Sequence, residues 1–327
     1  MADSECCAVY VLYPRLGLQT SHLDSLAYLV RKGFAPLVVS NLPLTPEERE
    51  RLLPLCWNLL ERPNYGYDFG AYRDGVMLAL EAVPKMRQLL LANDSAWFPV
   101  PTDSDWLAQA DGLDVDLAGA ASNDGWADYL SDASRKRPWA FDPLAPRLHY
   151  CSFALLLGPR ILKNPDFRQF WRNLKLTSDK ELTIHRGEVG LSRWIIDRGY
   201  SHAATLDLAR FDQDLDQMDT TRLYDLARHL IIPEDVELRK EQQSLIEKSV
   251  QWTDPVALRQ FILWASAATG PAYALPYWSL QTRRFGFLKK SPMWLSEPTA
   301  RITLSLIESH GDASMLKEAK QLAHDLK

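Results

Sequence analysis

Cysteine is scarce in this sequence, and neither charge sign dominates it. The 327 residues contain 4 cysteines, Cys6, Cys7, Cys56 and Cys151, with no C-x-x-C pair among them. Such a set supplies neither a zinc knuckle nor the disulfide framework of a small secreted protein, so a reducing, cytoplasmic location is expected. The formal net charge is −5, from 37 basic and 42 acidic residues. Nucleic-acid phosphates would meet no overall positive field, so no nucleic-acid partner is expected.

Two further features are missing. No G-x-G-x-x-G follows the first predicted strand, which argues against a dinucleotide-dependent oxidoreductase. Only residues 261–280 form an uncharged run long enough to span a bilayer, and that run contains Gly270, Pro271 and Pro276. Because these residues interrupt a helix, the run is predicted to be buried or interfacial.

The composition that remains is that of a globular protein, with 46% hydrophobic and 24% charged residues. The first 210 residues alternate strand-like and helix-like patterns, which is typical of an α/β fold whose sheet is largely parallel. Strands are predicted at residues 8–12, 36–40, 57–61, 87–92, 117–121, 150–157 and 202–208.

The pattern changes beyond Asp219, where helix follows helix. These helices are predicted at residues 219–231, 234–250, 255–268, 298–309 and 313–326. We place the boundary near residue 212, within an acidic stretch. The prediction is an α/β catalytic domain at 1–212 and an α-helical C-terminal region at 213–327.

Polar residues that follow strands are of interest because open parallel sheets bind ligands beyond the carboxyl ends of their strands. One such place is the strand-to-helix junction at residues 62–75. Gly66 and Gly70 allow close backbone approach to a ligand, and the helix N-terminus presents N–H groups to an anion. Arg73 has the charge to neutralise a diphosphate. The alternative is an ordinary capped helix in which Asp68 and Arg73 form surface pairs.

The second place is Asn93-Asp94-Ser95, directly after the most apolar strand. A carboxylate there can hold a divalent metal on phosphate oxygens or accept hydrogen bonds from sugar hydroxyls. The alternative is an ordinary turn closed by Asx and Ser side chains.

Five runs together resemble a known family. They are RPNYGYDFGAYRDG (62–75), LLLANDS (89–95), HYCSFALLL (149–157), FRQFWRNL (167–174) and GEVGLSRWIIDRGY (187–200). They are similar to the rhamnan synthesis F (RgpF-like) family of bacterial polysaccharide glycosyltransferases, and more distantly to inverting GT-A transferases. The resemblance implies a GT-A-like sheet flanked by helices. It also implies a nucleoside-diphosphate deoxyhexose donor, such as activated rhamnose, and a cytoplasmic active site.

The resemblance also suggests roles for individual residues. It implies a donor pocket formed by Asn64, Gly66, Asp68, Arg73, Asn93, Asp94 and Ser95. Asp94 would stand where the family fold ends its metal-binding acidic motif, so a Mg or Mn ion is the implied cofactor. This sequence has Asn-Asp-Ser and not Asp-x-Asp, and one carboxylate is a poor site for such a metal without help from substrate phosphates.

An inverting transfer requires a base that takes the proton of the acceptor hydroxyl. Glu188, predicted at the N-terminus of a helix over 187–198, is where such enzymes usually place that carboxylate, and the helix dipole would keep it ionised. Asp124 and Asp128, in a long loop, are the reserve candidates. His149 matches a family block and would touch donor or acceptor, with a purely structural histidine as the alternative.

Residues 255–296 contain no Asp or Glu but many aromatic and basic side chains. Such a segment suits peripheral contact with an anionic membrane, where polyprenyl-linked acceptors reside. The alternative is burial of the aromatic side chains with the cations solvated. The expected function is transfer of a sugar to a polysaccharide or lipid-linked acceptor at the inner face of the plasma membrane. A non-catalytic nucleotide-sugar-binding scaffold is the second hypothesis.

Overall fold

The structure, a computed structural model, describes residues 4–248, 250 and 253–325. Residues 249 and 326, which belong to two predicted helices, lie outside the described residues. So do residues 1–3 of the region predicted at 1–212, and residues 251, 252 and 327 of the region predicted at 213–327. In chain order the strands are β1 (Cys6–Leu12), β2 (Ala35–Ser40), β3 (Asn58–Glu61), β4 (Gln88–Asn93), β5 (Ala96–Trp97), β6 (Leu117–Gly119), β7 (Ser122–Asn123), β8 (His149–Tyr150), β9 (Ala154–Leu157), β10 (His202–Ala204) and β11 (Leu288–Lys289).

The helices occupy the intervening segments and most of the C-terminal third. They are α1 (Thr20–Arg31), α2 (Pro46–Leu52), α3 (Tyr67–Ala82), α4 (Trp106–Asp111), α5 (Ala127–Ser131), α6 (Pro159–Leu162), α7 (Pro165–Asn173), α8 (Lys180–Ile184), α9 (Gly190–Ile196), α10 (Phe211–Asp216), α11 (Thr220–Arg228), α12 (Val236–Ile246), α13 (Pro255–Thr269), α14 (Pro271–Ala274), α15 (Pro276–Thr282), α16 (Pro292–Leu295), α17 (Glu297–His310) and α18 (Ala313–Asp325). A 3₁₀ turn covers Leu53–Leu55, and a π-helical turn covers His185–Val189.

The chain folds into two compact units. Unit 1 consists of the residues up to Pro99 together with 105–120 and 149–205, and unit 2 of 100–104, 121–148 and the residues from Leu206 onward. The last change of unit thus falls close to the boundary predicted near residue 212. Segment 121–148, however, belongs with the C-terminal residues.

Unit 1 is built on a seven-stranded sheet with the order β10-β6-β9-β4-β1-β2-β3. Strand β9 runs antiparallel to its neighbours β4 and β6, and the other neighbouring pairs are parallel. The predicted α/β class with a mostly parallel sheet is therefore confirmed. Because β9 is antiparallel, its first residue, Ala154, pairs with Ala92 near the carboxyl end of β4. The turn before β9 consequently lies at the same edge as the residues that follow β1 and β4.

Helix α3 packs closely on this sheet. Its buried residues Phe69, Tyr72, Val76 and Ala79 recur at helical spacing and join the core beneath β1 and β4. A Cβ added at Gly75 would lie 2.5 Å from a methyl group of Val9. The glycine therefore sets how near the helix comes to β1.

Unit 2 is largely helical. Its interior is rich in aromatic rings, with Trp126 stacked on Trp139 at 4.9 Å and Phe211 against Trp278 at 4.8 Å. The uncharged run at 261–280 is divided among α13, α14 and α15, with breaks at Gly270 and at Leu275. In the part of the chain that is described, no helix combines the length and the apolar character needed to cross a bilayer.

Most of the aromatic and basic residues of 255–296 have partners inside unit 2. Phe261, Trp278, Phe285 and Phe287 are buried. Ion pairs join Arg259 to Asp216, Arg283 to Asp214, Arg284 to Asp103 and Lys290 to Glu318. The aromatic side chains are thus mainly buried, as in the second interpretation of this segment, but the cations are paired with carboxylates.

Candidate functional site at the carboxyl edge of the sheet

Asp94 lies in the turn that follows β4. Its backbone N–H donates to the carbonyl of Val11, at 3.2 Å, so the turn continues the β1–β4 pairing. Its carboxylate accepts from the backbone N–H of Tyr13 at 2.7 Å. The side chain retains an exposed fraction of 15%, so it faces a partly open edge while being fixed by β1.

His22 is a neighbour of Asp94 that the sequence did not reveal. Its Nε2 lies 3.6 Å from Asp94 Oδ2. Its Nδ1 accepts from the N–H of Gln19 at 3.2 Å, which places the proton of a neutral ring on Nε2, towards the carboxylate. The Gln19–His22 spacing marks the start of α1, but nothing in it indicates Asp94.

The helix and the strand end that carry the family motifs meet directly. Asn93 donates through its amide to the carboxylate of Asp68, in the first turn of α3, at 2.9 Å. The side-chain amide oxygen of Asn93 accepts from both the N–H and the hydroxyl of Ser95, at 3.1 and 2.6 Å. The structure therefore brings Asp68, Asn93, Asp94 and Ser95 to one place.

The junction before α3 depends on Arg62. Its guanidinium donates to Asp74, to Asn41 and to the carbonyl of Tyr65, all within 2.8 Å. Gly70 lies beneath this group, since an added Cβ would come 2.2 Å from the Tyr65 oxygen and 2.8 Å from the guanidinium. Gly66 has a left-handed φ of 77° and begins the helix. Gly70 therefore leaves room for the Arg62 guanidinium, and Gly66 adopts the left-handed backbone angle at which the helix begins.

Two predicted donor-pocket residues lie apart from this cluster. Arg73 pairs with Asp74 at 3.1 Å, and five helical positions separate it from Asp68, or about 140° around the axis. Asn64 is exposed before the helix. Their predicted roles stay predictions. The pairing of Arg73 matches the surface-pair alternative, whereas Asp68 bonds inward to Asn93.

Glu188 lies across the cluster on another segment. Its carboxylate accepts a short hydrogen bond from the backbone N–H of Ser152, and His149 Nε2 lies 3.9 Å from its second oxygen. Ser152 belongs to the turn at 151–153, which divides the strand predicted over 150–157 into β8 and β9. The carboxylate is 15% exposed.

The expected helix N-terminus at Glu188 is wrong. Residues 180–196 are continuously helical, with Glu188 in the π-helical turn between α8 and α9. The helix dipole acts at helix ends, so it does not act on Glu188 inside this stretch. The Ser152 N–H provides a local donor in its place. Single π turns inside α-helices are often found at functional sites.

Gly187 allows this turn to approach α3. A Cβ at Gly187 would lie 2.3 Å from the ring of Phe69. The ring of Phe69 occupies the space that a side chain at position 187 would need. The π turn and the first turn of α3 are therefore packed against each other.

Tyr72 is the buried centre of the cluster. Its side chain has no exposed surface, and its hydroxyl donates to the carbonyl of Ser152 at 2.7 Å. Burial, followed by the negative charges of Asp68, Glu188 and Asp94, raises the pKa of Tyr72 well above its ordinary value. The hydroxyl thus stays protonated, and all three carboxylates lie within electrostatic range of it.

The reserve candidates belong to unit 2. Asp124, at a left-handed φ of 58°, pairs with Arg147 at 3.7 Å, and Asp128 is exposed in the first turn of α5. Their catalytic roles stay predictions.

The implied metal ion does not fit the side chains present. The oxygen of Asn93 is already bonded to Ser95, and its amide nitrogen cannot ligate a cation while donating to Asp68. Among the described residues, no group of three or more His, Cys, Asp or Glu side chains is arranged to hold a metal.

Sequence comparison assigns the family. The family model of rhamnan synthesis protein F matches residues 37–256, about two thirds of the chain. The chain belongs to this family. The resemblance drawn from the five motifs is thereby confirmed, and the matched range includes Asp68, Asp94 and Glu188.

A curated relative and two solved structures are also similar. The chain is 28% identical over 187 residues to uncharacterized protein y4gN of Sinorhizobium fredii (strain NBRC 101917 / NGR234), covering 57% of this chain and 44% of the relative. It thus spans less than half of that relative's length. Core-mannan synthase A from Aspergillus fumigatus, in an Mn/GDP form, is 10% identical with a TM-score of 0.34, covering 58% of this chain and 69% of that one. The mannosyltransferase Ktr4p from S. cerevisiae, in complex with GDP, is 7% identical with a TM-score of 0.32, covering 58% and 66%. Similarity at these levels transfers no ligand or residue role.

Proposed function

We propose that this member of the rhamnan synthesis protein F family is a glycosyltransferase. It transfers a deoxyhexose such as rhamnose from a nucleoside diphosphate to a growing polysaccharide or lipid-linked acceptor, with inversion. Family membership supports the reaction class. The observation that carries the site is the set of hydrogen bonds at the carboxyl edge of the sheet. Asn93, next to Asp94, bonds to Asp68, and Ser152 bonds to both Glu188 and Tyr72.

The proposed chemistry assigns different work to each group. Glu188, on the π turn, takes the proton of the acceptor hydroxyl as that oxygen bonds to the anomeric carbon and the nucleoside diphosphate leaves from the opposite face. Asp94 and Asp68 accept hydrogen bonds from hydroxyl groups of the donor. The N-terminus of α3, whose N-cap Gly66 supplies no capping side chain, presents N–H groups to the diphosphate. His149 lies against Glu188, where it would orient the carboxylate.

A nucleotide-sugar-binding scaffold without turnover is the second candidate. Two features of the Asn-Asp-Ser turn favour it. Asp94 is the single acidic residue of the turn, and Asn93 and Ser95 are bonded to each other. Peripheral contact with the inner face of the plasma membrane also stays a proposal. The exposed pair Trp294 and Leu295 on α16 is the feature that supports it.

The test is release of nucleoside diphosphate from a panel of sugar nucleotides, with saccharide and polyprenyl-linked acceptors. We expect Glu188→Gln and Asp94→Asn each to lower turnover by about tenfold or more with the fold intact by circular dichroism. Glu181→Gln, an exposed change on the same helical stretch, is the matched control and should leave turnover unchanged.

Each other outcome has a defined meaning. Full turnover in folded Glu188→Gln would move the base elsewhere, and Asp124→Asn and Asp128→Asn would then be assayed. Binding of a sugar nucleotide by the wild-type chain without any release would favour the scaffold.

A further inference from the structure

Tyr72 occupies a position that the proposed reaction does not use. It is fully buried, so it cannot meet a substrate. It nevertheless follows Asp68 by one helical turn, and its hydroxyl reaches across to the 151–153 turn. The Tyr72 side chain therefore joins α3, which carries Asp68, to the turn whose Ser152 N–H bonds to Glu188.

Ser152 is held at both of its backbone groups. Its carbonyl accepts from Tyr72, and its N–H donates to Glu188. The adjacent carbonyl of Phe153 accepts from the N–H of Asn93 at 3.3 Å. The carbonyl and the N–H of Ser152 lie in adjacent planar peptide groups that meet at its Cα. A bond that holds the carbonyl therefore limits the backbone angles open to Ser152, and with them the direction of its N–H. Tyr72 thus bears on the geometry of the bond between Ser152 and Glu188.

The turn needs such support because it is not part of a strand. Residues 151–153 interrupt an otherwise strand-like sequence, so their backbone groups are not all ordered by the sheet. The Tyr72 hydroxyl stays protonated in these surroundings, so it remains a donor to the Ser152 carbonyl. Its ring is fixed by burial and by an edge-to-face contact with Phe69 at 5.7 Å.

We propose that Tyr72 is a positioning residue that fixes the Ser152 backbone and thereby orients the carboxylate of Glu188 for proton abstraction. The inference rests on the proposed function, because it concerns the base of that reaction. It deepens that function by making catalysis depend on a buried bond between α3 and the turn before β9. Tyr72 itself touches neither substrate nor reacting atoms.

The primary test is Tyr72→Phe, which removes only the hydroxyl. We expect kcat to fall about tenfold while KM for the donor changes by less than about twofold, because donor contacts are retained and only the base is misplaced. Tyr28→Phe is the matched control. Tyr28 is also a buried tyrosine of unit 1, and its hydroxyl bonds to Asp105 and accepts from the N–H of Leu107. It should lose stability but keep kcat.

The decisive readout is a double-mutant cycle. If Tyr72 acts through Glu188, adding Tyr72→Phe to Glu188→Gln should cause no further loss of the residual turnover. An additional tenfold loss in that background would overturn the proposal, as would wild-type kcat in Tyr72→Phe.

A second variant leaves Tyr72 itself unchanged, in case Tyr72→Phe does not fold. Ser152→Gly frees the backbone that Tyr72 orders and should give the same selective loss of kcat. An unchanged kcat in this variant would contradict the proposal. Failure of the proposed function is distinguishable, because the wild-type chain would then release no nucleoside diphosphate with any donor. An active wild-type chain with a fully active Tyr72→Phe variant would refute the positioning role alone.

Discussion

At the scale of single residues, a buried ion pair in unit 2 stands out. Lys290 Nζ and Glu318 Oε1 are 3.1 Å apart, and each side chain is only 6% exposed. Glu318 belongs to α18, and Lys290 follows β11. Desolvation of two charges is costly, so such a pair is tolerated only while both partners are present.

We therefore expect Glu318→Gln to lower the free energy of unfolding by about 3–5 kcal/mol, because it removes the carboxylate that lies 3.1 Å from the buried charge of Lys290. Glu297→Gln is the matched control, since Glu297 and Arg301 form an exposed pair at 67–71% exposure. That pair should contribute no more than about 0.5 kcal/mol. Urea unfolding of both variants measures the difference. Equal losses in the two would show that burial of the first pair has no consequence.

Sequence reasoning found the charged residues of the site more readily than the neutral ones. Asp68, Asp94 and Glu188 stand out because a carboxylate after a strand or in a recognisable block is chemically conspicuous. Tyr72 and His22 lie within helices α3 and α1, where no local pattern distinguishes them. Their contacts, with the carbonyl of Ser152 and with Asp94, join positions 80 and 72 residues apart, which no local pattern encodes.

At the scale of elements, the packing of α3 on β1 determines where the family motif lies. Two positions of the motif need small residues, Gly70 beneath Arg62 and Gly75 against Val9. The second contact is with backbone-anchored core methyl groups, which cannot move aside freely.

Gly75→Ala should consequently lower the free energy of unfolding by about 1–3 kcal/mol, despite the better helix propensity of alanine. Gly190→Ala provides the comparison within a helix. Gly190 has helical backbone angles, and an added Cβ would lie at an ordinary 3.5 Å from the carbonyl of His185. This second change should be stabilising by about 0.5–1 kcal/mol. Thermal or urea unfolding checks the opposite signs, and destabilisation of similar size in both would contradict the packing argument.

The strands and most helices were predictable, since continuous apolar runs and caps such as Thr45 with Glu48 are local signals. Two of the elements that differ lie at the site. The strand predicted over 150–157 breaks at Ser152, and the helix predicted from residue 187 starts earlier and contains a π turn. In both, contacts with α3 override a local preference: Tyr72 bonds to Ser152, and Phe69 packs on Gly187.

At the scale of the whole molecule, each unit is assembled from separate stretches of chain. Segment 121–148 lies between two stretches of unit 1 in sequence but packs with the C-terminal residues. Trp139 donates to the carbonyl of Leu208 at 2.7 Å, and Tyr129 lies 6.2 Å from the ring of Trp264. Arg135 pairs with Glu241 and stacks over Trp264 at 4.8 Å. A single domain boundary in the sequence cannot describe two units that each consist of separate stretches of chain.

This discontinuity predicts how the chain responds to shortening. A chain ending at Thr205 keeps every strand of the seven-stranded sheet, because β10 ends at Ala204. It loses Leu208, Glu241 and Trp264, so segment 121–148 loses its partners and exposes aromatic rings. Trypsin should then cut after Arg135 or Lys136 at least tenfold faster than in the full-length chain, since cleavage follows the population of the open segment. Mass spectrometry of the fragments over time measures the rates. Cleavage at the same rate in both chains would mean that the C-terminal residues do not order this segment.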